Sequence, residues 1–259
     1  MKLIFLTLAL ICSTTLSHAK KPTVWGKTGH RVVGAIADDY LKNSTKRKLQ
    51  NLLNHQSLAF VSTYADEIKA DKRYDDFKTW HYLNMPLNGT YETSNKNPKG
   101  DLVTGITYCK TIIQNPASSK DDKAFYLKLL IHLIGDLHQP FHIGLIEDRG
   151  GNDFKVKWQS RDSNMHKIWD TQMIESYGMS FSELADNVDY LTKAEIETIK
   201  KGDLLDWIKD THELTKMVYA SAEKGDNLGG NYSYKYLHVA RTQMQKAGIR
   251  LAKVLNAIL

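Results

Sequence analysis

His132-Leu133-Ile134-Gly135-Asp136-Leu137-His138-Gln139-Pro140-Phe141-His142 is the stretch whose reading decides the fold. On a helix, His132 and Asp136 stand four residues apart and share a face. Pro140 cannot continue that helix, so the chain turns there and swings His142 back towards the pair. Three histidines and an aspartate this close together read as metal ligands.

Working outward, residues 122–138 carry Phe125, Tyr126, Leu129, Leu130, Leu133, Ile134 and Leu137 as one apolar stripe, which predicts the central helix. Helical spacing recurs over 26–41 with His30 near its start, over 45–53, and over 61–71 with Asp66 and then Lys69 one turn later. Residues 84–100 are rich in Asn, Gly, Pro, Thr and Ser without periodicity, a long loop placed to edge a substrate site. Asp101 then caps a helix running to about residue 113. Arg149-Gly150-Gly151-Asn152 reads as a turn, and residues 154–158 alternate apolar and basic as a short strand or hairpin. A helix from Met165 puts His166 and Asp170 one turn apart on one face. Further helices are expected over 180–191, 193–200, 203–223 and 234–259. The pattern specifies an all-α, single-domain, multi-helix fold with a minor β-hairpin.

Composition agrees with one globular domain: 259 residues, 42% hydrophobic and 25% charged. Residues 1–19 combine Lys2, an apolar run from Leu3 to Ile11 and the small-x-small site Ser17-His18-Ala19, the pattern of a secretory signal. The run is too short to span a membrane. Cys12 invites a lipoprotein reading, but Ile11 stands where a small residue should precede an acylated cysteine. The expected mature domain is therefore residues 20–259, exported, with Cys109 as its sole cysteine and no internal disulfide. Metal ions are the natural substitute for such a staple. Losing Lys2 lowers the formal +6 charge by one, a balance that suits a polyanionic substrate and equally suits plain solubility.

The chemistry lies in the histidines. His30, His81, His132, His142 and His166 stand beside acids or each other at ligand spacing; singly each reads as an ordinary histidine, and together they read as a metal centre. Imidazole and carboxylate donors without thiolate suit zinc in an open, catalytic site. Five histidines with Asp66, Asp136 and Asp170 exceed what one ion uses, so two or three ions fit the supply. Clustered ions are a device of phosphoryl chemistry, which makes phosphoester hydrolysis the leading reaction class. His138, two residues past Asp136, points away from the His132–Asp136 side and is assigned to hydrogen bonding behind the ligands or to helix-end packing.

Trp25-Gly26-Lys27-Thr28-Gly29-His30-Arg31, Tyr64-Ala65-Asp66, Trp80-His81-Tyr82, the 132–142 stretch, Gly150-Gly151-Asn152-Asp153, His166-Lys167-Ile168-Trp169-Asp170 and the helix segment 245–252 resemble, in order, the zinc-dependent single-strand-specific nuclease family. That family includes secreted fungal nucleases and plant bifunctional nucleases, and is related in fold to zinc phospholipase C. The resemblance implies three zinc ions: one held by Asp66, His81, His132 and Asp136, a second by His142, His166 and Asp170, a third by Trp25, His30 and a bridging Asp136. It implies attack by a metal-activated water, with Lys69 near the reacting phosphate, Tyr82 stacking on a base, Asn84 reading the base edge and Asn152 contributing to substrate binding. The implied substrates are single-stranded DNA or RNA and 3′-nucleotides, released as 5′-mononucleotides by a monomer without a stable protein partner.

Each role has an ordinary counterpart: Lys69 as a solvated surface lysine, Tyr82 as core, Asn152 as a turn residue. Family members often begin at the tryptophan, whereas the inferred cleavage leaves Lys20 to Val24 ahead of Trp25, so the third site depends on further trimming or on fewer protein donors. The nearest rival is a zinc phospholipase C, whose final ligand pair ends in glutamate where this chain has Asp170. A rival of another kind is a secreted binding protein with a purely structural metal cluster.

Overall fold

The computed structural model describes residues 26–259; the signal expected over residues 1–19 and the expected ligand Trp25 lie outside the described residues. Six α-helices of ten residues or more carry the fold: α1 (Lys27–Asp39), α2 (Asn43–Leu52), α3 (Leu102–Gln114), α4 (Lys120–Asp136), α5 (Leu204–Tyr219) and α6 (Gly230–Ile258). The Ser119 hydroxyl accepts from Asp122 N–H to start α4, and from Leu129 to Asp136 every residue of that helix is buried. An amphipathic helix buries a stripe; one apolar all round must be enclosed. Helices α1, α2, α3 and α6 accordingly pack around α4. Helix α3 begins as expected, with the Asp101 carboxylate accepting from Thr104 N–H.

The β-structure is one strand larger than a hairpin. Strand β1 (Lys155–Trp158) buries Val156 and Trp158 and pairs antiparallel with β2 (Arg161–Asn164). Gln159 and Ser160 between them both take positive φ, the turn whose twist matches a two-residue hairpin. The two-residue strand β3 (Asn227–Leu228) adds parallel to β1 on its other side.

Several helix expectations are corrected. The 61–71 stretch is broken into short helices Leu58–Val61 and Tyr64–Glu67 and a 3₁₀ turn Ile68–Ala70. The Ser62 and Thr63 hydroxyls bond back to Ala59 and Phe60 carbonyls, competing with helix continuation. The following Lys72–His81 is an unforeseen 3₁₀ element, interrupted at Tyr74. The 180–191 helix ends at Asp186 and the 203–223 helix at Tyr219, while the last helix starts at Gly230. The helix from Met165 passes into a π turn over Ile168–Gln172. Among the described residues no helix is long and apolar enough to cross a membrane.

His138 proves to be a helix-end packing residue. Its Nδ1–H donates to the Ile134 carbonyl at 2.8 Å, and Nε2 accepts from Arg250 Nη1 at 3.2 Å. Arg250 also reaches the Ile199 carbonyl and the Asp210 carboxylate and lies over Trp207, so one guanidinium ties α6 to α5 and to the Lys193–Lys200 helix. Burial, and then the Arg250 charge, push the His138 pKa down to about 3. The folded-state value is depressed, so its contribution is complete above the unfolded pKa of about 6.5 and drains away as pH falls towards about 3. The stability gap between wild type and His138→Gln should therefore shrink by about 2–3 kcal/mol between neutral pH and pH ~4.5. Urea unfolding of both proteins across that range checks it; a constant gap would contradict the neutral, buried imidazole.

Candidate metal centre

Eight donors converge from six parts of the chain. His30 comes from the first turn of α1, Asp66 from the Tyr64–Glu67 helix, His81 from the end of the 3₁₀ segment, and His132 and Asp136 from the last turns of α4. Pro140 starts the 3₁₀ turn Pro140–Ile143 that returns His142, and His166 and Asp170 follow the hairpin. Asp66 is partly exposed; the other seven are buried.

The separations suit shared ions better than hydrogen bonds. Two donors about 2.0–2.2 Å from a tetrahedral zinc stand roughly 3.3–3.6 Å apart. His132 Nε2 lies 3.4 Å from Asp66 Oδ1, and His30 Nε2 3.4 Å from Asp136 Oδ1. His81 Nδ1 is 3.7 Å from Asp66 Oδ1, His142 Nε2 3.6 Å from Asp170 Oδ1, and His166 Nε2 3.8 Å from Asp170 Oδ2. Three sets could each hold a metal ion: His30, Asp66 and His132; His81, His132 and Asp136; His142, His166 and Asp170.

Two further observations fit a cation. Asp136 Oδ1 and Asp170 Oδ2 are buried, a costly place for carboxylate oxygens unless a positive charge faces them. The imidazoles are also held in the tautomer a metal needs. His132 Nδ1–H donates to the Ser62 carbonyl at 2.7 Å and His166 Nδ1–H to the Gly150 carbonyl at 2.6 Å, so Nε2 of each ring presents a lone pair to the cluster. The Gln139 amide donates to Asp170 Oδ1 at 2.9 Å and fixes that carboxylate.

Asp136 is the hub. Its Oδ2 lies 2.8 Å from His81 Nδ1 and 3.1 Å from His132 Nε2, while Oδ1 lies 3.0 Å from His142 Nδ1. Burial opposes its charge, yet His132, His142 and His81 outweigh it and hold the carboxyl well below the usual range. Asp66 behaves alike: burial opposes ionisation, and His132, Lys69 and His81 pull its pKa down. Burial also disfavours a charged His142, but Asp136 and Asp170 push it up to about 10. The neighbouring charges thus keep Asp66 and Asp136 ionised.

The remaining expected residues fall around this centre. Lys69 Nζ pairs with Asp66 Oδ1 at 2.8 Å, joined to the ligand set rather than free in solvent. Backbone bonds Leu83 N–H to His142 O and Met85 N–H to Gly144 O form a ladder in which Leu83 and Met85 are buried. The alternate residues differ: Asn84 is half-buried and Tyr82 is 37% exposed, which removes Tyr82 from the core. The Asn152 amide donates to the Arg149 carbonyl at 2.9 Å and holds the turn. Sequence reading did not find Gly135, although it sits inside the decisive stretch. A Cβ there would lie 2.7 Å from His30 Nδ1, so α4 offers a flat spot against which the His30 ring rests. On its other side that ring stacks on His132, centroids 3.7 Å apart.

A helical fold thus encloses a His/Asp cluster whose donors could hold metal ions. The family model for S1/P1 nuclease matches residues 25–259, and this chain belongs to that family. It is similar to nuclease S1 of Aspergillus oryzae, with 31% identity over 96% of both chains. Endonuclease 4 of Arabidopsis thaliana is 29% identical over 90% of this chain and 89% of its own. Nuclease P1 of Penicillium citrinum is 24% identical over 90% and 97%. A solved alpha-toxin of Clostridium perfringens superposes with a TM-score of 0.48 at 17% identity, covering 92% of this chain and 64% of that one. The protein is a nuclease, a hydrolase of phosphodiester bonds.

Because the His30 ring is wedged between Gly135 and His132, it has nowhere to go when a methyl is added. Gly135→Ala should cost about 1–3 kcal/mol of stability and lower the number of ions bound at limiting zinc. Elemental analysis of the purified variant, with a thermal melt, reads both; wild-type metal content would rule out His30 as a ligand.

Proposed function

We propose an exported, zinc-dependent nuclease acting on single-stranded DNA or RNA, yielding 5′-mononucleotides and also dephosphorylating 3′-nucleotides. The observation that carries this reading is the exposed Tyr82 ring directly following the buried ligand His81. An aromatic face stacks on any base, but only on one already free of a duplex, so it selects single strands. Asn84, two residues on and on the same side of the ladder, supplies amide donors and acceptors for the base edge.

Three ions are assigned as the resemblance implies, to Asp66, His81, His132 and Asp136; to His142, His166 and Asp170; and to His30 and Asp136 with Trp25. Gly26 N–H donates to the Asp170 carbonyl at 2.6 Å, which anchors the residue after Trp25 beside a ligand. Bound zinc supplies an ionised water near neutral pH and charge stabilisation at the phosphoryl oxygens. The chain's own residues do the rest. The Asp66 and Asp136 carboxylates stay ionised and fix donor positions, and Lys69 brings a cation to the partly exposed edge of the site, where charge develops on the phosphate. Asn152 acts through the turn it closes. Residues 1–19 are proposed as the export signal, 20–259 as the catalytic domain, and the protein as a monomer.

Hydrolysis of denatured DNA, duplex DNA, RNA, a 3′-nucleotide and phosphatidylcholine should be compared on one preparation. Turnover of the single strands and the 3′-nucleotide, with little on duplex or lipid, is expected; lipid turnover without nucleic-acid turnover overturns the proposal. Tyr82→Ala should weaken single-strand binding by about 1–3 kcal/mol while retaining metal. Unchanged affinity in a binding titration would exclude the stacking role.

A further inference from the structure

Behind His142 and His166 lies a hydrogen-bonded set that the chemistry above does not use. Tyr219, the last residue of α5, meets the loop of residues 144–153: its phenol oxygen accepts Leu145 N–H at 3.1 Å and its O–H donates to Asp148 Oδ1 at 2.8 Å. The same carboxylate oxygen, nearly buried, accepts Gly151 N–H at 2.8 Å. Two backbone bonds close the loop, Gly150 N–H to Leu145 O and Asp153 N–H to Asp148 O. The Gly150 carbonyl held by this arrangement is the one that takes the His166 Nδ1–H.

The loop is also pressed against the other histidine's support. Gly150 and Gly151 have φ of 60° and 75°, and a Cβ on Gly151 would stand 2.3 Å from the ring of Phe141, the residue before His142. The Tyr219 ring meets Phe141 edge-on, centroids 5.1 Å apart. Hydrogen bonds therefore run unbroken from a helix outside the cluster to one ligand ring, through phenol, carboxylate, backbone N–H, carbonyl and imidazole.

We infer that Tyr219 and Asp148 are positioning residues for His166, fixing the Gly150 carbonyl that keeps its Nε2 aimed at Asp170. By this route they set the affinity of the His142–His166–Asp170 group for zinc, an inference that rests on the metal-centre reading. Partners that orient a ligating histidine from behind typically carry about 10–100-fold of metal affinity. Neither residue is a zinc donor in the assignment above, and without them the Gly151 N–H, on the same peptide unit as the Gly150 carbonyl, loses its carboxylate acceptor.

The test strips wild type, Tyr219→Phe and Asp148→Asn of metal, then titrates each with Zn²⁺ against a competing chelator and, separately, with Co²⁺ while following its visible absorption. One class of Zn²⁺ should weaken about 10–100-fold in each variant, with the other classes at wild-type affinity and an altered Co²⁺ band for the weakened class. Tyr219→Phe removes one oxygen and keeps the ring contacts, so it reads the effect even where Asp148→Asn fails to fold. Wild-type affinity in every class for Tyr219→Phe, with only a lower melting temperature, overturns the inference. Failure of wild type itself to take up Zn²⁺ overturns the metal-centre reading, and this one with it.

Discussion

Asp136 is a fully buried carboxylate whose two oxygens face four imidazoles, those of His30 and His142 on one side and of His81 and His132 on the other. Leaving such a charge unpaired in the interior costs several kcal/mol, so the fold must deliver cationic or metal-bound partners to it from elsewhere in the chain. That requirement explains why α4 is enclosed by helices rather than lying on the surface. It also explains why the histidines arrive from separate elements, each aimed by a contact behind it: Ser62 O for His132, Gly150 O for His166, Gly135 for His30. The cluster is the candidate metal centre and, equally, a point at which the helices are joined.

The parts legible in the sequence were those governed by local periodicity. The i,i+4 spacing of His132 and Asp136 and the stop at Pro140 translate directly into a shared helix face and a returning His142. The Lys193–Lys200 helix matches its expected bounds, its Thr192 cap and Glu195 forming a capping box. What local reading missed has physical causes. Tyr74, Phe77 and Trp80 recur every three residues, a 3₁₀ period that a search for 3.6 passes over. In the structure they form an aromatic cluster with Phe125 beneath the segment that ends at His81. The strand Asn227–Leu228 is too short to alternate, and exists because β1 offers it an edge. The contact of Gly135 with His30 joins residues far apart in sequence, which no local pattern encodes.

Stability and chemistry share their supports. The free cysteine Cys109 is buried within α3, so no disulfide joins the described elements. Arg250 takes over one such task, binding His138 just past α4 and Asp210 in the middle of α5 to α6. Family membership establishes a nuclease, and the exposed Tyr82 follows directly on the buried His81.

Anomalous diffraction from crystals grown with zinc, collected on either side of the zinc absorption edge, tests the central claim most directly. The account predicts peaks among Asp66, His81, His132 and Asp136, among His142, His166 and Asp170, and beside His30, all within reach of the Asp136 hub. Zinc-replete crystals with no anomalous density at Asp136 would contradict it.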